Sequence, residues 1–344
     1  MSRAWGSLVL CLALGSALIG PSRGAYRIAV ASEPSPSSHQ ILVLLRLPPA
    51  HLRPSSGYGG AGGYGDGEGR GARRRIAGAL ARENGLTLLD DWPMPVVGLD
   101  CFIMTTPAGR SPAEVAARLT RDPRVAWSQP MGLFHAQSIA RAGGAPGLPS
   151  GRLFPVQPAA REWRLIDLHQ MATGRGVRVA VIDSMIERSH PDLLGQAPVS
   201  QDFVPDHPAG PERHGTGVAG IIAAKGVGIV GVAPRARLMA LRACWQSGSG
   251  RGGASITTCD TLSLAKALSF AVEHNAQVIN LSLSGPPDPL LGRLLDVAIA
   301  RGVAVVGAFD RTLPGGGFPA SHAGVVAVAA ESMDAPLAGI YSAP

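Results

Sequence analysis

Apolar runs and stretches of helical spacing alternate along this chain, and they do so differently in its two halves. In the first half, residues 40–47 (QILVLLRL) read as a short strand, and residues 73–84 have helical character up to Gly85. Residues 86–89 and 99–105 read as strands. Ser111 is placed to cap a helix over 112–120, with Glu114 at its third position, and residues 125–128 form a last short strand. The order β-α-β-β-α-β predicts a small α+β, ferredoxin-like unit over residues 40–136. In the second half, residues 177–182 (VRVAVI) form the continuous apolar run expected of a strand buried on both faces. Helical stretches over 214–225, 262–274 and 290–301 then alternate with strands over 238–242, 278–283, 303–306 and 325–329. That alternation predicts an α/β, doubly wound, mostly parallel sheet, with any ligand at the C-terminal ends of the strands.

The segments between these elements set the expected domain limits. Residues 1–25 read as a secretory signal. Arg3 is the basic start, residues 8–19 are apolar and uncharged, and Ser22, Gly24 and Ala25 offer a cleavage site. That apolar run is too short for a membrane span, which needs about 20 residues, so no stable span is expected and the protein is read as secreted or periplasmic. Residues 55–72 are Gly-rich but open no βαβ unit, so they read as a flexible loop rather than a phosphate cradle. Residues 137–160, rich in Gly, Pro and Ala, read as a linker. The expected domains are thus the α+β unit over 40–136 and an α/β domain over 161–344.

Composition narrows the class. Of 344 residues, 46% are hydrophobic and 16% charged, which fits buried cores and rules out a mostly disordered chain. The net charge of +7 comes mostly from scattered arginines, and aromatics at 5% are too sparse for a base-stacking surface, so nucleic acid is not an expected partner. Cys11 leaves with the signal. Cys244 and Cys259 bracket a loop rich in Gly and Ser that could close as a disulfide under oxidising conditions, whereas Cys101 reads as a buried thiol. The cysteine spacing matches no zinc pattern. His207, Glu212 and His214 form a loose cluster whose spacing fits no helical ligand pair.

Two segments carry chemistry. In residues 180–193 (AVIDSMIERSHPDL), Asp183 ends a buried strand, so its carboxylate should emerge at the C-terminal edge of the sheet. In residues 214–224 (HGTGVAGIIAA), His214 opens a helix, and Gly215 and Gly217 allow another backbone to come close. An Asp that orients a His, which in turn activates a hydroxyl, is the acyl-transfer arrangement for a weak serine nucleophile.

These segments resemble the subtilase (S8) serine peptidases: V-I-D-S at Asp183, His190-Pro191-Asp192-Leu193, and His214-Gly215-Thr216-Gly217-Val218-Ala219-Gly220. Residues 278–283 (VINLSL) are similar to the edge along which subtilases pair with substrate backbone. Residues 318–320 (FPA) and 325–328 (VVAV) are similar to the stretch after the oxyanion loop. Residues 40–136 resemble the inhibitory propeptide that often precedes such a domain. The resemblance implies peptide-bond hydrolysis, with Asp183 as orienting acid and His214 as general base. It also implies Ser282, Leu283, Ser284 and Gly285 as the substrate-backbone edge, a peptide or protein substrate, and the chain's own propeptide as intramolecular inhibitor. It implies no required cofactor, with calcium possible at Asp192, and Asp202 and Asp206 as similar cases; the metal is otherwise unknown.

The departures matter as much. Met185 stands where the family usually has Gly. The oxyanion Asn position falls on Phe309 or Asp310, and neither an aromatic ring nor an ionised carboxylate can donate. Loss of such a donor costs roughly 2.7–4 kcal/mol of transition-state stabilisation. Residues 331–336 (ESMDAP) mimic part of the nucleophile segment, but Ser332 lacks the preceding Gly-Thr and follows directly on a strand. On this alignment the serine-bearing helix lies beyond Pro344. The expectation is therefore an exported serine endopeptidase whose sequence is C-terminally incomplete; the alternative is an inactive pseudopeptidase or peptide-binding protein of the same fold.

Overall fold

The computed structural model describes residues 36–46, 67–137, 157, 163–247 and 255–329. The segment read as a signal, the Gly-rich stretch up to residue 66, most of the segment read as a linker and residues 330–344, Ser332 among them, lie outside the described residues.

The first half forms β1 (Gln40–Arg46), α1 (Gly67–Asn84), β2 (Thr87–Met94), β3 (Leu99–Thr105), α2 (Pro112–Leu119) and β4 (Trp127–Pro130), with sheet order β2-β3-β1-β4 and antiparallel pairing throughout. Ser111 caps α2 by accepting from the Glu114 amide. Helix α1 starts at Gly67, inside the stretch read as a loop from its glycines. The reason is long-range: Arg70 and Arg74 pair with Asp91 on β2, and Arg73 with Asp100 on β3, pinning the first turns to the sheet.

The unalternating run of β1 has a simple cause. Successive side chains point to opposite faces. Leu42 and Leu44 enter one core with Leu99, Cys101 and Ile103, while Ile41, Val43 and Leu45 enter a second with Phe102 and Met104, beneath α1 and α2. At its central strands, β1 and β3, both faces of this sheet are dry. Cys101 is free and fully buried, and burial pushes its thiol pKa up to about 12. It should therefore resist a thiol reagent at about pH 8 until the protein unfolds, since the thiolate is the reactive form. Stoichiometric labelling without denaturant would contradict this.

The second half is doubly wound. A six-stranded parallel sheet has the order β14-β13-β11-β6-β8-β7. Its strands are β6 (Arg178–Asp183), β7 (Val199–Asp202), β8 (Arg237–Arg242), β11 (Val278–Leu281), β13 (Ala304–Ala308) and β14 (Val326–Val328). After the short α3 (Leu165–Met171), α4 (Arg213–Ala223) covers one face with Val179, Val181, Leu238 and Ala240. Helices α5 (Thr261–Glu273) and α6 (Pro289–Ala300) cover the other. These two helices also touch the antiparallel sheet. Leu264, Leu268, Leu290 and Leu294 share one core with Leu42 and Leu44 on one side and with Ile182, Leu241 and Ile279 on the other. A helix between two sheets must be apolar nearly all round, as α5 is: nine of its residues are buried. Lys266 over Trp92 and Arg293 over Trp127 extend the junction at its rim.

A third sheet joins the two halves. Its order is β12-β5-β10-β9, from β5 (Leu133–Ala136), β9 (Cys244–Ser247), β10 (Ile256–Asp260) and β12 (Leu283–Ser284). The sequence expectation of one strand over 278–283 divides here. Residues 278–281 pair in the parallel sheet, whereas Leu283 and Ser284 turn away and pair with β5.

Candidate active site

Asp183 is the last residue of β6 and 2% exposed, at the C-terminal edge of the parallel sheet. Its Oδ1 accepts from the Ser184 amide, and both carboxylate oxygens face His214 Nδ1, at 2.8 and 3.0 Å. The imidazole belongs to the first turn of α4, whose approach depends on one glycine. A Cβ at Gly215 would lie 2.2 Å from the Ser184 carbonyl oxygen, so only glycine lets the helix sit this near the strand end. The Gly215 amide donates to Ser184 Oγ. Gly217, expected to serve the same purpose, faces open space.

Glu212, the residue before α4, was legible only as a poor metal candidate. In the structure its carboxylate bridges the Met185 and Gln246 amides, and the Arg242 guanidinium lies 3.6 Å away. It thereby ties the loop after Asp183 to the helix carrying His214. His207 stacks on Trp245 instead of joining them. Among the described residues, no three His, Cys, Asp or Glu side chains are grouped to hold a metal. Asp192 does not fit a cation: both its oxygens accept amide N–H groups, from Val227, Gly228 and Ile229. Asp202 spends its carboxylate on the Val204 amide and on Arg242.

The groove beside the dyad is filled by the chain itself. Strand β5 lies between β10 and β12, antiparallel to both, with His135 opposite Thr258 on one side and Ser284 on the other. Side chains alternate: Phe134 is fully buried and His135 exposed. Cys244 and Cys259 form a disulfide between directly opposed positions of β9 and β10, fastening the wall of the groove. Gly285, expected on the substrate edge with Ser282, Leu283 and Ser284, instead pairs its backbone with Phe318 and lies against the Phe134 ring.

Gln137, the residue after β5, lies at the dyad. Its amide donates to the Ser282 carbonyl at 2.9 Å, and its own carbonyl lies 3.1 Å from His214 Nε2. Composition had placed Gln137 at the start of a linker. No local signal marks it; its partners are 77 to 173 residues away. Its side-chain amide donates to Asp310 Oδ2 at 3.0 Å. This separates the two residues, Phe309 and Asp310, between which the expected oxyanion position was left open. The ring of Phe309 packs on Gly316, where a Cβ would come within 2.1 Å, and Gly315, Gly316 and Gly317 all take positive φ to allow it. Asp310 faces the groove. The hydroxyl and amide of Thr312 donate to Oδ1 and hold its carboxyl below the usual range, so at neutral pH it is an acceptor only.

For His214, burial is the strongest single influence and pulls its pKa down. The Asp183 hydrogen bond and charge, with the Gln137 carbonyl, together outweigh it, so the net shift is upward. The geometry agrees, since facing an acceptor at each nitrogen suits the doubly protonated ring. The sign for stability follows. A raised folded pKa gives stabilisation that is complete below the unfolded value of about 6.5 and is lost as pH rises through the folded pKa. The stability difference between wild type and His214→Ala should therefore shrink as pH rises from below the unfolded value through the folded pKa. A difference that grows with pH in urea titrations would refute this.

Comparison with known proteins bears on this arrangement. The family model described as Subtilase family matches residues 174–333. Subtilisin Savinase from Lederbergia lenta is 40% identical over 164 residues, 46% of this chain and 56% of that protein. Subtilisin E from Bacillus subtilis (strain 168) is 37% identical over 170 residues, 46% of this chain and 42% of that protein. The matches thus span about half the length of these curated relatives. Among solved structures, fervidolysin from Fervidobacterium pennivorans, described as a keratinolytic enzyme related to subtilisin, aligns with a TM-score of 0.52 at 22% identity. That alignment covers 84% of this chain and 42% of fervidolysin, and the likeness is one of fold. With the Asp–His pair at the sheet edge, these matches show that residues 174–333 are similar to the subtilase family.

Proposed function

We propose that the chain acts as an exported subtilisin-like serine endopeptidase, with Asp183 and His214 as its orienting acid and general base, and that residues 40–136 act as its intramolecular inhibitor. The observation that carries this reading is the seat of Gln137, at the end of an antiparallel strand between two groove edges, with its carbonyl against His214 Nε2. A substrate held by strand addition would present its scissile carbonyl there. In this reading Asp183 keeps the proton on Nδ1 and stabilises the imidazolium. Nε2 takes the proton of a serine hydroxyl as its oxygen bonds to the carbonyl carbon, then returns it to the departing amine. The carbonyl of Gln137 occupies the place from which that proton would come.

One observation favours the second reading, a peptide-binding protein without catalysis. The groove position that should donate to an oxyanion is held by the Asp310 carboxylate, which accepts. A serine-reactive fluorophosphonate probe separates the two. A peptidase is labelled on a serine, and labelling disappears in His214→Ala. Labelling indifferent to His214 would overturn the catalytic assignment. A protein that is never labelled, yet keeps β5 protected in the groove, is the peptide binder. Labelling abolished by Ser332→Ala would place the nucleophile in a segment that departs from the family pattern.

A further inference from the structure

The Asp310 carboxylate has no evident use in the reaction as derived above. It cannot donate to an oxyanion, yet it faces the groove and is held there. Thr312 fixes one of its oxygens through two hydrogen bonds, at 2.8 and 2.6 Å, and the other is turned to the side chain of Gln137. Strand β13 positions it, because the Phe309 amide continues the ladder by donating to the Val328 carbonyl and the Asp310 amide donates to Gly316. The three glycines at 315–317 let the following loop close over the Phe309 ring, so that Phe309 turns away from Gln137 and Asp310 faces it.

We infer that Asp310 is a specificity-determining residue, which selects at the residue preceding the scissile bond for side chains that donate hydrogen bonds, primary amides and cations, and rejects carboxylates. The inference rests on the reading that β5 occupies the groove as a substrate does. Its physical basis is a fixed acceptor. A half-buried carboxylate oxygen aimed at the side chain of the residue after β5 is satisfied by the amide of Gln137, and by the same geometry would accept from a Lys ammonium or an Arg guanidinium. A Glu or Asp in that place would set two like charges within hydrogen-bond distance. An apolar residue would leave the acceptor unpaired, which discriminates against it less strongly than repulsion does. The substrate class named is thus peptides with Gln, Lys or Arg at this position. The closing residue of the chain's own inhibitory strand belongs to that class.

The test uses the full chain and reads hydrogen exchange of the residue 137 amide, which is bonded to the Ser282 carbonyl. Gln137→Glu should accelerate that exchange about tenfold or more, while Gln137→Arg should leave it unchanged or slower. Adding Asp310→Asn to Gln137→Glu should restore most of the protection, because the asparagine amide donates to the new carboxylate. Gln137 is half-buried at the rim, so these changes leave the cores untouched, and unchanged exchange in β1 and β6 verifies that. Equal effects of Gln137→Glu and Gln137→Arg, or no rescue by Asp310→Asn, would overturn the specificity role while leaving the groove occupied. An amide at 137 that exchanges as fast as a free peptide in the wild type would instead overturn the reading on which it rests.

Discussion

Replacing Phe134 with alanine is expected to lower the unfolding free energy by about 3–5 kcal/mol, the usual cost of removing a fully enclosed aromatic ring. Phe134 is 0% exposed. A Cβ on Gly285 would lie 2.3 Å from its ring, and the Phe318 ring stands 6.2 Å away at a tilt. Nothing else in β5 is enclosed to this degree, so the ring is the anchor that keeps the strand between β10 and β12. The chain has one escape from the cavity, which is for β5 to leave the groove. Urea midpoints should therefore be measured together with exchange of the Gln137 amide. A loss under about 1 kcal/mol with unchanged exchange would mean that the strand is held by its backbone bonds alone.

Gly215→Ala is expected to cost about 3 kcal/mol and to open the dyad. The added methyl would come 2.2 Å from the Ser184 carbonyl oxygen and 2.9 Å from its carbon, both backbone atoms that cannot rotate away. Relief requires α4 to retreat from the end of β6, and that motion carries His214 away from Asp183, now at 2.8 Å. The imidazole titration reports it. The upward shift produced by Asp183 should diminish, whereas Gly217→Ala, with open space at its Cα, should leave the titration unchanged. Equal effects of the two substitutions would show that helix propensity, not approach to the strand, governs this turn.

Much of the frame was legible because it is written in local patterns. The runs QILVLLR and RVAVID identify strands with no wet face, and both prove to be covered on two sides. Ser111 with Glu114 marks the start of a helix by chemistry contained in four residues. Asp183 and His214 stand in segments whose residue order is distinctive, so both could be named without coordinates. The start of α1 was misread because the glycines at 67, 69 and 71 are poor helix formers, while the ion pairs that hold this turn reach across 17 to 27 residues.

The sequence by itself determined the two kinds of sheet and the two residues that make the dyad. It also placed Phe309 and Asp310 where the resemblance implies an asparagine. Only the tertiary structure decided which of Phe309 and Asp310 faces the groove, that residues 278–284 serve two sheets, and that residues 133–137 lie in the groove as a strand. The physical reason is common to all three. Four residues of sequence LFHA carry no periodicity of their own and become a strand because β10 and β12 offer two unpaired edges. Likewise, a carboxylate acquires its role from an amide that folding brings to it across 173 residues.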